Sequence, residues 1–116
     1  METKLHPGLT IRLFREQKCF GPGVAELLRR VDEHRSLRAA AQSMEMAYSK
    51  AWTIVKASEN GLGFRLLDTQ TGGRRGGGAS LTGEARRLLA AYERFCDRVN
   101  AFSAEAFAEE FPFLNE

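Results

Sequence analysis

The stretch from Ser36 to Ser58 limits the folds open to this chain more than any other, because it reads as two short amphipathic helices joined by only a few residues. Ser36 is a good N-cap: its hydroxyl can accept a free N–H of the opening turn, and Leu37, Ala40 and Ala41 then make a small apolar face. Side chains that small let a second helix approach closely. Met44, Glu45 and Met46 supply the turn. A second helix is predicted from about Tyr48 to Ser58, with Ala51, Ile54, Val55 and Ser58 inward and Tyr48, Ser49, Lys50, Thr53 and Lys56 outward. That is the pattern of a helix-turn-helix, whose second helix lays its polar N-terminal half in the major groove of DNA. Alanine-rich helix pairs also occur in all-helical domains with no nucleic-acid role, so the flanking sequence decides.

Upstream, Leu9 to Arg15 alternates as a strand would, with Leu9, Ile11 and Leu13 on one face. Glu16-Gln17-Lys18 turns it back toward a short partner around Cys19-Phe20. Gly21-Pro22-Gly23 ends that hairpin and opens a helix, since Pro at the first helical position lacks an N–H that would be unpaired anyway. Val24, Leu27, Leu28 and Val31 then recur at i, i+3, i+4 and i+7, one buried stripe.

Downstream, the glycines of Asn60-Gly61-Leu62-Gly63 end the second helix of the pair, Phe64 to Thr71 reads as a strand, and Ala79-Ser80-Leu81 as its partner. Between them lies Gly72-Gly-Arg-Arg-Gly-Gly-Gly78. Five glycines in seven positions cannot pack a core, so the segment is expected to present Arg74 and Arg75 on an exposed, adaptable hairpin tip. It has neither the glycine spacing of a dinucleotide fingerprint nor the Gly-Lys-Ser/Thr ending of a phosphate-binding loop. Its chemistry suits DNA phosphates or a minor groove. An RNA-binding reading of Arg-Arg-Gly-Gly-Gly is weaker, as the tract occurs once.

Thr82 can cap a last long helix to about Phe102. Along it Ala85, Leu88, Tyr92, Phe95, Val99, Phe102 and Ala106 alternate at spacings of three and four, the seam of a helix pair. A single helix lying on its own core shows a similar stripe, but this helix begins where the compact part of the chain ends, which favours a dimer seam at Leu88, Tyr92, Phe95, Val99 and Phe102. The tail from Ser103 to Glu116 is acidic and carries Phe107, Phe111, Phe113 and Leu114; it is either a short helix closing over the dimer or a docking segment.

The 116 residues suit one folding unit, divided into a DNA-binding part at 1–82 and a dimerisation helix with its tail at 83–116. No apolar run approaches the roughly 20 residues of a membrane span and no leader is evident, so the expectation is a cytoplasmic protein. Net charge is +1 over 1–34, +4 over 35–82 and −3 over 83–116, which puts the positive excess on the suspected DNA face. Cys19 and Cys96 fit no metal spacing and read as apolar fillers. His6 and His34 have no nucleophile or carboxylate partner in a motif. Neither an enzyme nor a cofactor or metal site is expected.

Phe20-Gly-Pro-Gly23, Leu27-Leu28, Ser36-Leu37, Tyr48-Ser-Lys-Ala-Trp52, Thr71-Gly-Gly-Arg-Arg-Gly-Gly-Gly-Ala79 and Leu81-Thr82 together resemble the N-terminal DNA-binding domain of ModE-type molybdate-responsive transcriptional regulators. That resemblance, over roughly residues 5–102, implies a mainly α winged helix-turn-helix with small β-hairpins, related to the domain of LysR-type regulators. It also implies a homodimer, paired through the long helix, on a palindromic operator in double-stranded DNA. By position, Ala47, Tyr48, Ser49 and Lys50 open the recognition helix, Thr53 and Lys56 continue its outer face, Ser36 and Arg38 flank it, and Arg74 and Arg75 arm the wing. Two residues depart from the pattern: Ala47 replaces the usual serine, and Glu45 stands where the turn often has glycine, which strains the backbone if it is left-handed there. Full-length members carry C-terminal oxyanion-binding domains. This chain ends before any could begin, so it is expected to bind DNA without sensing molybdate itself, unless a separate oxyanion-binding or other regulatory protein docks on it.

On this reading Lys50, Lys56, Arg74, Arg75 and Arg38 meet phosphates, and a dimer should show a logarithmic salt slope of about −5 to −7. Tyr48, Ser49 and Lys50 face base edges, while Trp52 either braces the wing or supports the DNA face. The rival reading is a winged-helix adaptor that binds a protein through its C-terminal helix and tail.

Overall fold

A computed structural model of the chain describes residues 4–69 and 78–114. The elements run β1 (Leu13–Phe14), β2 (Lys18–Phe20), α1 (Pro22–His34), α2 (Leu37–Ser43), α3 (Tyr48–Leu62), β3 (Leu67–Thr69), β4 (Ala79–Leu81), α4 (Gly83–Glu110) and a closing 3-10 turn (Pro112–Leu114). Two antiparallel hairpins, β1 with β2 and β3 with β4, flank the helices. This is a winged helix-turn-helix followed by one long helix.

The core forms because each element contributes the face its spacing dictates. Val24, Leu27, Leu28 and Val31 of α1 are buried, and α2 adds Leu37, Ala40 and Ala41, whose small side chains admit Ala51 and Val55 of α3. Leu66, Leu67, Ala79 and Leu81 close the core from the wing hairpin. Leu67 pairs with Leu81 in the β3–β4 register, so both leucines fall on the inner face. Ser36 caps α2 as expected, accepting the Ala39 N–H at 3.0 Å. Thr82 caps α4 in the same way and also donates its hydroxyl proton to the Arg65 carbonyl at 2.7 Å, which ties the start of α4 to the wing.

Three expectations change. The strand expected from Leu9 shrinks to Leu13–Phe14, because the chain before it lies along α4: Tyr92 donates its hydroxyl to the Ile11 carbonyl at 2.6 Å, and Leu9 lines a groove with Val99 and Phe102. α3 runs on to Leu62 instead of stopping near Ser58. Gly63, at φ 87°, is its left-handed C-cap, whereas Gly61 stays helical. α4 continues eight residues beyond Phe102 to Glu110. Residues 103–110 are mostly Ala, Glu and Phe, with no helix breaker before Pro112, so the acidic stretch is the end of the helix and not a separate tail.

Gly61 is required by packing. A Cβ there would lie 2.6 Å from the Cys19 sulfur, and the Gly61 carbonyl accepts the Arg15 Nε–H at 2.9 Å. The Ser58 hydroxyl donates to the Cys19 carbonyl from the turn below, which fastens β2 across the end of α3. Glycine to alanine inside a helix ordinarily stabilises by up to about 1 kcal/mol. Gly61→Ala is instead expected to destabilise by about 1–3 kcal/mol, read as a lower denaturant midpoint at unchanged slope.

The first half of α4 rests on the core and the second half leaves it. Ala85 and Tyr92 are buried, with Leu88, Leu89 and Cys96 packed against the same cluster. Tyr92 meets Phe20 edge to face, ring centroids 5.0 Å apart. Burial, and then the neighbouring Cys96 thiol, push the Tyr92 pKa above its usual 10.0, so its phenol remains a donor to Ile11. Tyr92 is therefore a core residue of its own chain and leaves the expected seam, and Leu88 is half committed to that core. Arg29 bridges Glu93 at 2.7 Å, and Arg86 bridges Asp32 at 2.8 Å, which fixes α4 across α1. Beyond Cys96 the helix projects, giving the molecule extents of 61 × 35 × 21 Å and a radius of gyration of 17.8 Å. A compact chain of similar length would have a radius of gyration of about 13 Å.

Candidate nucleic-acid interface

The turn between α2 and α3 sets the angle at which the second helix is presented. Its backbone is closed by the Met46 N–H on the Ala41 carbonyl at 3.0 Å and the Glu45 N–H on the Gln42 carbonyl at 3.0 Å. That geometry puts Glu45 at φ 56°, the left-handed region anticipated from its place in the turn. Glycine at 45 would relieve the strain at the expense of unfolded-state entropy, so Glu45→Gly is expected to stabilise by about 0.5–1 kcal/mol, a rise of a few degrees in Tm. A fall in Tm would mean that the glutamate side chain contributes something its exposed position does not suggest.

α3 begins without a side-chain cap. Ala47 takes the extended N-cap conformation but has no oxygen to offer, so the opening N–H groups of this 15-residue helix have no side-chain acceptor from the cap position. Ser49 and Lys50 follow on the exposed surface of that first turn. Thr53, also exposed, donates its hydroxyl to the Ser49 carbonyl at 3.0 Å. Ser36 uses its oxygen for the α2 cap, which holds the start of α2 in place.

Four residues form a connected line across the outer surface of the pair. The Arg38 guanidinium lies 4.1 Å from the centre of the Tyr48 ring. Tyr48 meets Trp52 edge to face at 6.3 Å, and the Lys56 ammonium sits 5.3 Å from the Trp52 ring centre. Lys56 also pairs with Glu59 at 3.4 Å. Glu59 accepts the Leu66 N–H at 2.7 Å, so it is Glu59 that fastens the recognition helix to the base of the wing. Arg74 and Arg75 lie outside the described residues.

Arg35 is an exposed cation that the sequence pattern does not single out. It is the left-handed C-cap of α1 at φ 58°, exposed beside the Ser36 cap, and its carbonyl accepts the Ala79 N–H of β4 at 3.1 Å. One residue thus joins the wing to the entrance of the helix-turn-helix and places an exposed cation there. The sequence signal for it is slight, an arginine directly before a strong N-cap.

A helix pair crossing over a tight turn, an exposed polar second helix flanked by cations, and a two-stranded wing define a DNA-binding winged helix-turn-helix. Residues 24–86, more than half of the chain, match the family described as bacterial regulatory helix-turn-helix proteins of the lysR family, and the chain belongs to that family. Over 86 residues it is 36% identical to the transcriptional regulator ModE of Haemophilus influenzae, a match covering 73% of this chain and 33% of that protein. It is 31% identical over 86 residues to the DNA-binding transcriptional dual regulator ModE of Escherichia coli K12, covering 73% of this chain and 32% of the relative. Over 66 residues it is 38% identical to the molybdenum-pterin-binding protein MopB of Rhodobacter capsulatus, covering 57% of the chain and 24% of MopB. The chain therefore matches about a third or less of each of these curated relatives. Its N-terminal part is a DNA-binding domain of the ModE type, and the family it belongs to consists of transcriptional regulators. Among the described residues no helix is long and apolar enough to cross a membrane.

Proposed function

We propose that the chain regulates transcription as a homodimer on a palindromic operator, with α3 in the major groove and the wing on the flanking backbone. The observation that carries this is the ordered line of Arg38, Tyr48, Trp52 and Lys56 along the exposed face of α2 and α3, beside the bare first turn of α3. Ser49, Lys50 and the methyl of Thr53 face base edges; the opening N–H groups of α3, Arg38, Arg35 and the wing arginines Arg74 and Arg75 face phosphates. Ala47 fits this arrangement, because a helix whose first N–H groups are not capped internally can offer them to a phosphate.

Dimerisation is supported by the second half of α4. Phe95 and Phe102 are exposed, Val99 half-buried, and an open groove of about 430 Å³ runs among Val99, Phe102, Ala106, Phe107 and Phe111. A projecting apolar helix face of this kind is covered in a stable protein, and a second copy offers the same face in return. An adaptor would have no use for the ordered cations on α2 and α3.

Hydroxyl-radical footprinting of the purified chain on duplex from its own promoter tests the arrangement. Two protected half-sites centred about 34 Å apart, one helical turn, are expected. A single protected half-site would contradict the symmetric dimer.

A further inference from the structure

Trp52 is the one tryptophan of the chain, and it stands half-buried on α3. Only part of it packs against the core; its ring is met edge-on by Tyr48 on one side and carries the Lys56 ammonium on the other. Tyr48, Trp52 and Lys56 follow one another at intervals of four along α3, and Arg38 reaches the far end of the line from α2. Lysine and arginine side chains on a surface normally lose considerable rotamer freedom when they meet a phosphate. A cation already resting on an aromatic face has lost much of that freedom in advance.

We infer that Trp52 is a positioning residue for DNA binding: its ring, with that of Tyr48, holds Lys56 and Arg38 at fixed places on the outer face so that both cations meet the phosphate backbone pre-ordered. The inference rests on the DNA-binding reading and adds to it a residue that touches neither base nor phosphate. Lys56 has two holders, Trp52 and Glu59. Glu59 competes with phosphate for the ammonium, whereas the Trp52 face does not, so the ring keeps Lys56 extended along α3 while its charge remains available.

The test measures Kd and salt slope for wild type, Trp52→Leu, Trp52→Phe, Lys56→Gln and Trp52→Leu with Lys56→Gln, on operator duplex with random duplex as competitor. Trp52→Leu is expected to weaken operator binding about three- to tenfold and to reduce the slope by about 0.9 for each phosphate no longer neutralised, with Trp52→Phe restoring most of both. Lys56→Gln should cost several-fold in the wild-type background and little in Trp52→Leu. Equal effects of Lys56→Gln in the two backgrounds, or an unchanged slope in a folded Trp52→Leu variant, would overturn the inference while leaving operator binding by the wild type intact. Loss of competitor-resistant binding by the wild type itself would overturn the DNA-binding reading, and the inference with it. Should Trp52→Leu fail to fold, the emission of this lone tryptophan in otherwise wild-type protein decides. Lys56→Gln is expected to change it in the free protein and operator duplex to change it further, and emission indifferent to both would refute the arrangement.

Discussion

Phe102→Glu is expected to leave each subunit folded, convert the dimer to a monomer and weaken operator affinity by at least about a hundredfold. Phe102 is 71% exposed, so its side chain contributes little to the folding of its own chain. It lies in the middle of the apolar face formed by Phe95, Val99, Ala106 and Phe107, beyond the point where α4 leaves the core. In the proposed symmetric dimer a carboxylate there must be desolvated against the same face of the second copy, and it is introduced twice. Without the pair, the two half-sites are no longer bound by one linked molecule, and the avidity forfeited is on the order of 10²–10⁴. Sedimentation velocity reads the first effect and an operator titration the second. A variant that remains dimeric would show that the second half of α4 meets something other than its copy.

The second large effect concerns the fold. Phe20→Ala is expected to cost about 3–5 kcal/mol, comparable with much of the stability of a domain of this size. Phe20 is fully buried, closes β2 immediately before the Gly21-Pro22 start of α1, and packs edge to face on Tyr92 of α4. Its loss opens a cavity where the N-terminal hairpin, α1 and α4 meet, and it removes the surface that keeps Tyr92 turned inward toward Ile11. Far-ultraviolet circular dichroism with urea should show a much lower midpoint, and fluorescence of Trp52, on α3, should report the same transition. A loss below about 1 kcal/mol would mean that this junction collapses onto the vacancy.

Most of the helix-turn-helix is legible in residue types because local chemistry determines it. Ser36 as a cap, the small residues of α2 and Pro22 at the start of α1 each follow from one or two neighbours, whereas the left-handed turn at Glu45 is signalled only by the family resemblance. What is not legible depends on which surface an apolar face meets. The stripe on α4 has the same three-and-four spacing whether it lies on its own core or on another copy. The structure divides it between Tyr92, held by Phe20 and Ile11, and Phe102, which faces outward. Gly61 reads as a helix end in the sequence, yet it lies within the helix, and it is glycine because the Cys19 sulfur, brought from far upstream, occupies the place of a Cβ. Arg35 and Glu59 are hidden for the same reason. The wing segments that give each its role are distant from it in sequence or fold back onto it only in three dimensions. The outer-face residues Arg38, Tyr48 and Lys56 are legible as candidates, but not the stacking through Trp52 that joins them.

The most direct test of operator binding is a titration of the purified chain against the duplex upstream of its own gene, with excess random duplex, at two salt concentrations. Competitor-resistant binding with a logarithmic salt slope of about −5 to −7, weakened strongly by Lys50→Ala and by Arg74→Ala with Arg75→Ala, is the predicted result. Binding that random duplex abolishes at moderate salt, or that is indifferent to those substitutions, would contradict it.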